Sequence, residues 1–244
     1  MRVKNNVFMT DYDIFAKFYN TVMGDRLKSA EKIKAFVEQS NPTARNILEL
    51  ACGTGTIMKY LAKDYKISGL DLSQEMLAIA MKEMPNSIFC HQSMVNFEVP
   101  EKFDVILCCF DSLNHIIDFN DWQSIFNSSY NHLNDGGVFI FDINTQAKLE
   151  SHSKAPTWVY SFEENIMLMK VQEFGENIFN WNIKVFEHQE SKQYLLHEEN
   201  IKETTFPTSK ISQALKQFKS IKVIDPKRIK PSKKTERLYF ICGK

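Results

Sequence analysis

The amino-acid sequence predicts an α/β protein whose doubly wound, mostly parallel sheet is covered by helices on both faces. Between residues 46 and 144, short apolar runs typical of strands alternate with segments of helical periodicity. These runs are apolar along their whole length, as expected for strands buried on both faces of a parallel sheet. After residue 150 successive strand-like runs are joined by short turns, which predicts an inserted antiparallel β meander.

The α/β part follows a regular order. Two helices are predicted within residues 11–39, and Asn41-Pro42 ends the second. Strands and helices then alternate, and Ser73 is the expected N-cap of the helix after the second strand. In folds of this kind, ligands bind at the carboxyl ends of the strands. The predicted strands are 46–50, 66–72, 87–92, 103–110 and 137–144, and the helices between them are 54–65, 73–84 and 120–133.

The rest of the chain is predicted to form the meander and then to return to the main sheet. Residues 157–205 contain one glycine and no proline, which favours uninterrupted strands. A helix, a strand, a basic loop and a last strand follow. The predicted meander strands are 158–162, 166–174, 177–188 and 194–204, and the later elements are a helix at 208–218 and strands at 219–225 and 236–244.

Composition and charge limit the class of protein. The chain has 244 residues, of which 43% are apolar, so one sizeable core is expected. Thirty basic and thirty acidic residues cancel, which makes a nucleic-acid partner unlikely. No apolar run is long enough to span a bilayer, and the first residues lack the apolar stretch of a signal peptide. The five cysteines form no Cys-x-x-Cys pair, so we expect reduced thiols, a cytoplasmic location and no metal site.

The segment LELACGTGT is a glycine-rich turn between a strand and a helix. Gly53 and Gly55 can take backbone conformations closed to other residues, and they carry no Cβ that would obstruct a ligand. A dinucleotide-binding turn that starts at Gly53 would have a third glycine where this sequence has Met58. A pyrophosphate is therefore not the expected ligand.

Two acidic residues narrow the choice of ligand. Glu49 stands at the end of the first strand, where it would repel a phosphate and attract a cation. Asp71 ends the second strand, where a carboxylate can accept hydrogen bonds from two ribose hydroxyls. The turn and the two acids together predict an adenosine derivative that carries a positive charge.

With these two segments, LELACGTGT and GLDLSQEML, the sequence resembles the class I S-adenosylmethionine-dependent methyltransferases. Their first motif is matched by Glu49, Ala51, Gly53 and Gly55, with Ala51 in place of the first glycine. The later segments FDVILCCF, LNDGGVFIFDIN and ERLYFICGK are placed as in that family, so the resemblance covers most of the chain. Its small-molecule branch, which includes aminosugar N,N-dimethyltransferases, is the most similar.

The resemblance implies a Rossmann-like, seven-stranded sheet whose last strand, RLYFIC, runs antiparallel to the others. Residues 1–150 and 206–244 would form the cofactor-binding core, with residues 1–40 as an N-terminal helical lid. Residues 151–205 would be an antiparallel β insertion that covers the active site.

The resemblance also implies the cofactor, S-adenosyl-L-methionine, and the product S-adenosyl-L-homocysteine. Asp71 would take the ribose hydroxyls, and Leu72 and Met76 would pack on the adenine. Ser93 and Met94 stand where the family usually has an aspartate that reaches the adenine amine. The predicted cofactor-binding residues are Tyr12, Tyr19, Glu49, Ala51, Cys52, Gly53, Gly55, Asp71, Leu72, Met76, Ser93, Met94 and Cys109.

The N-terminal segment DYDIFAKFYN resembles a lid segment from which an aromatic residue reaches the cofactor in small-molecule members of the family. Tyr12 and Tyr19 are the candidates, since a phenol ring attracts a sulfonium and its hydroxyl can bind a carboxylate. The alternative is that these two tyrosines, with Phe15 and Phe18, form one apolar face of a helix.

Methyl transfer from a sulfonium is an in-line displacement, so the protein must align donor and acceptor and exclude water. His115, in the segment FDSLNHI after the fourth strand, could take a proton from the acceptor, and Tyr19 is the second candidate for a catalytic role. The alternative for His115 is a packed surface position beside a capping turn. Arg237 would meet an anionic substrate group or form a surface ion pair. The predicted substrate residues are Phe110, Asn114, His115, Asn144, Trp158 and Arg237.

The expected function is methyl transfer to nitrogen or oxygen of a small-molecule acceptor, by a monomer or a homodimer with no membrane partner. Two alternatives stay open at this point. One is an RNA-modifying methyltransferase, and the other is a module that binds S-adenosylmethionine or S-adenosylhomocysteine without catalysis.

Overall fold

The protein is described by a computed structural model covering residues 12–244, and it contains two sheets. The seven-stranded sheet has the order β10-β11-β5-β4-β1-β2-β3, and the four-stranded sheet the order β6-β7-β8-β9. The strands are β1 Asn46–Leu50, β2 Lys66–Asp71, β3 Ile88–His91, β4 Phe103–Cys108, β5 Leu133–Asn144, β6 Trp158–Phe162, β7 Asn165–Gly175, β8 Ile178–His188, β9 Tyr194–Thr204, β10 Ser220–Ile224 and β11 Arg237–Gly243.

The large sheet has the predicted directions. The pairs β1/β2, β2/β3, β1/β4 and β4/β5 are parallel. The last strand, β11, is antiparallel to both of its neighbours, β5 and β10. The small sheet is antiparallel throughout. The prediction of a doubly wound, mostly parallel sheet with an antiparallel last strand and a β meander is therefore confirmed.

Seven helices occur in the described part of the chain. Ser73 caps α4 as predicted, because its Oγ accepts from the backbone N–H of Met76 at 3.1 Å. Asp118 and Thr145 cap α5 and α6 in the same way. The helices are α1 Ala16–Met23, α2 Leu27–Ser40, α3 Met58–Leu61, α4 Gln74–Glu83, α5 Phe119–His132, α6 Gln146–Lys154 and α7 Thr208–Ala214.

Two elements differ from the sequence prediction. The helix expected over residues 54–65 is only the single turn α3, because positive φ angles at Gly53 and Gly55 delay its start. Helix α6, which joins the two sheets, was not predicted, since its sequence QAKLESHSK buries only Leu149 and carries almost no apolar periodicity.

The core of the large sheet lies on both of its faces. Alternate side chains of β1 point to opposite faces, so Leu48 joins one apolar cluster and Ile47 the other. The first cluster includes Trp122 of α5 and Ile211 of α7, and the second includes Ile33 of α2. Of the helices in residues 12–244, none has the length and apolar character needed to cross a membrane.

Helix α1 packs on the small sheet. Phe15 and Phe18 are buried against an apolar cluster that includes Ile183 and Ile201. Just before the helix, the carboxylate of Glu199 on β9 accepts hydrogen bonds from the backbone N–H groups of Ile14 and Phe15, at 2.8 and 3.0 Å. The same segment contacts the large sheet, because the hydroxyls of Thr54 and Ser73, which follow β1 and β2, donate to Asn20 and Asp13 at 2.6 Å each.

Candidate functional site

The glycine turn leaves β1 through a run of left-handed backbone. Ala51, Gly53 and Gly55 have φ angles of 50°, 54° and 76°. A Cβ built on Gly53 would meet no atom within 4 Å, so the turn borders open space. A Cβ on Gly69 of β2 would lie 2.7 Å from Sγ of Cys52, so the turn is packed tightly against the neighbouring strand. The backbone is thus exposed on the ligand side and fixed on the other.

Asp71 is fixed at the end of β2 by backbone donors. Its Oδ2 accepts from the N–H of Gly53 at 2.7 Å, and its Oδ1 accepts from the N–H of Ser73 at 2.8 Å. Burial raises the pKa of this carboxyl, while the backbone donors lower it. Each oxygen has a second lone pair, so the carboxylate can still receive two hydroxyl donors.

Glu49 is a buried acid, and one of its carboxylate oxygens lacks a hydrogen-bond partner among the described residues. Its side chain is 4% exposed, and its Oε2 has no hydrogen-bond partner within residues 12–244. Burial and, second, the nearby charge of Asp71 raise the pKa of Glu49 to about 8. A buried acid with an unmatched oxygen fits a ligand that brings a positive charge or a proton donor. The residues present therefore fit an adenosyl sulfonium.

The predicted adenine contacts differ in exposure. Leu72 is 53% exposed, whereas Met76 and Met94 are buried. Oγ of Ser93 accepts from the N–H of Val95 at 3.1 Å. The exposed apolar side chain at the end of β2 is suited to packing on a base, and the roles of these residues stay predictions.

The two tyrosines of the N-terminal segment occupy different positions at the edge. The hydroxyl of Tyr12 is hydrogen-bonded to Nε2 of His115 at 3.2 Å, and the two rings meet edge to face. Burial raises the pKa of Tyr19 to about 12, opposed by Arg26 and supported by Asp111, Asp71 and Glu49. Tyr19 therefore has electrostatic neighbours in both the turn after β1 and the loop after β4.

The loop after β4 is strained. Phe110 and Asp111 are consecutive non-glycine residues with φ angles of 60° and 54°. Such conformations cost on the order of 1–3 kcal/mol each, so the surroundings must hold them. Asp142 of β5 does this, because its carboxylate accepts from the N–H groups of Phe110 at 2.7 Å and Asp111 at 3.2 Å.

Arg237 lies in a buried ion-pair network. Its guanidinium donates to Asp111 at 2.6 Å, to Asp142, and to Oδ1 of Asn144 at 3.0 Å. Burial alone would lower the pKa of Arg237, but Asp111 and Asp142 raise it above its usual value, so the group stays charged. The ion pair expected as one alternative for Arg237 is present, and its partner Asp142 is 1% exposed.

Glu203, at the end of β9, completes this network. The Asn144 amide donates to Asp111 at 2.9 Å and to Glu203 at 3.2 Å. Burial and, second, Asp111 raise the pKa of Glu203 to about 8. Ligand-type atoms of Asp111, His115 and Glu203 lie within 4.8 Å of one another. The absence of a metal site stays a prediction.

The remaining predicted substrate- and cofactor-binding residues lie outside the network around Arg237. Asn114 is fully buried, and its amide donates to the carbonyl oxygens of Asn144 and Thr204, which ties β5 to β9. Trp158 stacks on Trp181, with ring centroids 6.4 Å apart, and lies next to α6. Cys52 and Cys109 are buried free thiols, and burial raises the pKa of each.

Sequence reasoning missed three acids that shape the site. Asp142 stood inside an apolar strand, and Glu199 and Glu203 stood in the meander. The last two share the inward face of β9 with Ile201, because residues two apart in a strand point the same way. Acids on the apolar face of a strand are the signal that could have identified them.

Comparisons with known proteins bear directly on this arrangement. A family model described as a methyltransferase domain matches residues 47–137. The crystal structure of an S-adenosylmethionine-dependent methyltransferase from Clostridium acetobutylicum matches with a TM-score of 0.83 and 30% sequence identity, over 96% of this chain and 99% of that one. The chain belongs to the S-adenosylmethionine-dependent methyltransferases.

Two further proteins are similar in sequence to this methyltransferase. The Bacillus subtilis methyltransferase YqeM, whose own assignment is provisional, is 28% identical over 96% of this chain and 97% of that protein. The dTDP-3-amino-3,6-dideoxy-alpha-D-glucopyranose N,N-dimethyltransferase of Streptomyces fradiae is 34% identical over 38% of this chain and 36% of its own length. The methyltransferase is thus an enzyme that uses S-adenosylmethionine.

Proposed function

We propose that the methyltransferase transfers the methyl group to a nitrogen atom of a small-molecule amine. The observation that carries this proposal is the grouping of Asp111, His115 and Glu203 within 4.8 Å at the carboxyl edge of the sheet. A protonated amine cannot attack until it has lost a proton, and the imidazole of His115 lies beside two carboxyl groups, where it can accept one. The N,N-dimethyltransferase named among the relatives supports the same choice.

S-adenosylmethionine supplies a methyl group on a positively charged sulfur. In our proposal, Glu49, Asp71 and the backbone of Gly53 hold the donor, and Tyr19 lies between donor and acceptor. His115 accepts the proton from the acceptor nitrogen, while its hydrogen bond to Tyr12 fixes the orientation of the ring. The strained loop at Phe110 and the N-terminal segment exclude water from the reacting atoms.

The proposal includes the organisation expected from the sequence. Residues 1–150 and 206–244 act as the cofactor-binding core, with residues 1–40 as a lid, and residues 151–205 cover the acceptor edge. The equal numbers of acidic and basic residues support a small acceptor over a nucleic acid. We place the enzyme in the cytoplasm, as a monomer or a homodimer.

Methyl transfer from labelled S-adenosylmethionine to separated metabolite pools and to total tRNA tests the proposal. We expect label in a metabolite amine that mass spectrometry identifies as N-methylated. Label found only in tRNA, or only on oxygen, would contradict the proposal. No transfer despite tight binding of S-adenosylhomocysteine would favour a module that binds the cofactor without catalysis.

A further inference from the structure

The acids at the acceptor edge outnumber the guanidinium that faces them. Asp142 and Glu203 contribute two buried carboxyl groups and Asp111 a partly buried one, whereas Arg237 contributes one positive charge. Arg237 already donates to Asp111, Asp142 and Asn144. An anionic group that reached the remaining N–H donors of Arg237 would lie close to these carboxylates, which would repel it.

Glu203 is the carboxyl group in this network that has no cationic partner. Its side chain is 4% exposed, and its described hydrogen bond comes from the neutral amide of Asn144 at 3.2 Å. Among residues 12–244, no lysine or arginine forms an ion pair with it. The titratable groups that face it are Asp111 after β4, His115, Tyr12, Arg237 on β11 and, at longer range, Lys148 on α6.

The spacing of these groups suits one small cation. Atoms that lie within 4.8 Å of one another can all reach a single nitrogen at hydrogen-bonding distances of about 2.7–3.2 Å. The acids alone would not define a site. The site is defined by the carboxyl ends of β1 and β4, which are adjacent strands and bring the cofactor turn and the loop of Asp111 side by side.

We propose that Glu203, together with Asp111, selects an acceptor whose reacting nitrogen arrives as a protonated amine with no phosphate beside it, and that His115 then takes the proton from that nitrogen. This inference rests on the proposed N-methylation and assigns its charge selection to a residue of the β insertion.

The chemical step balances without a further reactant. The ammonium gives one proton to the imidazole of His115, which leaves a neutral amine with a free electron pair. That pair forms the bond to the methyl carbon as the carbon–sulfur bond breaks, and the electrons of the broken bond stay on sulfur. The products are a methylated ammonium and the neutral thioether S-adenosylhomocysteine, and His115 passes its proton to solvent.

The charge of Glu203 then controls acceptor binding. With a pKa of about 8, the carboxyl is mostly protonated at pH 7 in the free enzyme. A bound ammonium favours the ionised form, so the affinity for a cationic amine should rise as the pH increases from 7 to 9 while the amine itself stays protonated. The ionised fraction rises about tenfold over this range, so we expect an affinity gain of about the same size.

The test uses three small probes with the enzyme saturated by S-adenosylhomocysteine, so that no chemistry occurs. Ethanolamine carries the cation, N-acetylethanolamine is neutral, and phosphoethanolamine adds a phosphate. Ligand-detected NMR titration should show that ethanolamine binds at least tenfold more tightly than the other two at pH 8. Equal binding, stronger binding of phosphoethanolamine, or no binding of ethanolamine would overturn the inference.

A pair of variants on one strand identifies the residue responsible. Glu203→Gln should remove the preference for ethanolamine and its rise with pH, while S-adenosylhomocysteine binding stays. Glu198→Gln is the matched control, because Glu198 lies on the outer face of β9 and pairs with Lys184. An unchanged preference for ethanolamine in Glu203→Gln would refute the assignment to Glu203. If that variant does not fold, the comparison of the three probes on the unmodified enzyme still tests whether the site selects a cationic amine. Failure of N-methylation in the metabolite experiment would be seen separately, since probe binding needs no turnover.

Discussion

The carboxylate of Asp71 accepts a hydrogen bond from the backbone N–H of Gly53 across 2.7 Å. This bond joins the end of β2 to the turn after β1. The group proposed to hold the ribose and the backbone proposed to hold the methionine end are therefore one structural unit, and a change at either residue affects both.

Replacing Asp71 with alanine should weaken S-adenosylhomocysteine binding by roughly 10- to 100-fold, since a hydrogen bond to a charged group contributes about 1.5–3 kcal/mol. Isothermal titration calorimetry measures the change. Asp135→Ala, at an exposed position near the start of β5, is the control and should bind normally. An unchanged affinity in the Asp71 variant would refute its role at the ribose.

Two glycine-to-alanine variants should separate folding from cofactor binding. Gly69→Ala places a Cβ 2.7 Å from Sγ of Cys52 and 2.8 Å from Sδ of Met58, so it should lower the free energy of unfolding by about 1–3 kcal/mol. Gly53→Ala meets no atom within 4 Å and has only the strain of its φ angle of 54°, about 1 kcal/mol. Its Cβ would face the cofactor, so its main effect should be on S-adenosylhomocysteine binding. Chemical denaturation and calorimetry measure the two effects, and the reverse order of stabilities would show that the open side of the turn has been misplaced.

The sequence was sufficient to predict the large sheet and the cofactor-binding side of the site, and the physical reason differs between the two. Strand burial produces an apolar pattern that is visible in the chain, and the turn at Gly53 needs residue types that few other structures need. The acceptor side depends on Asp142, Glu199 and Glu203, whose partners are more than thirty residues away. Long-range ion pairs leave no periodic signal, so the sequence showed Arg237 but not the acids that bind it.

The stability of the ligand-free enzyme should fall as the pH rises from about 4.5 to about 8. Glu49 and Glu203 both have a folded-state pKa of about 8, against 4.5 as the ordinary value. Between these values the folded state binds more protons than the unfolded state, so raising the pH favours unfolding. The double variant Glu49→Gln/Glu203→Gln should flatten this part of the profile, whereas Glu31→Gln on the exposed face of α2 should not. Urea denaturation at a series of pH values gives the free energy of unfolding, and a profile equally steep in the double variant would contradict the assignment.

His115→Gln should lower kcat by on the order of 100-fold, because a positioned proton acceptor contributes about 10²–10⁴. Tyr12→Phe removes the hydrogen bond at 3.2 Å but keeps the ring, so its effect should be smaller, under about tenfold. The rates are measured with the amine found in the metabolite experiment, over a range of pH. Loss of the same fraction of activity at every pH in His115→Gln would indicate orientation of the acceptor and not proton transfer. His188→Gln, in the distant hairpin between β8 and β9, is the control.

Glu199→Gln should loosen the N-terminal segment. The carboxylate accepts from the N–H groups of Ile14 and Phe15, and loss of a charged cap of this kind costs about 0.5–2 kcal/mol. Limited proteolysis should cut the variant faster before α1 and elsewhere at the normal rate. Glu198→Gln, on the other face of the same strand, should resemble the unmodified enzyme, and equal cleavage of both variants would exclude the proposed anchor.

The docking of α1 on the small sheet has a consequence for biosynthesis. Phe15 and Phe18 are made first, but the strands that bury them, β7 to β9, are complete only near residue 204. During translation the glycine turn can form long before the segment that closes over it has a surface to rest on. The growing chain should therefore form this region in two stages, first the turn beside β2 and then, once β9 has emerged, the contacts of α1 with the small sheet.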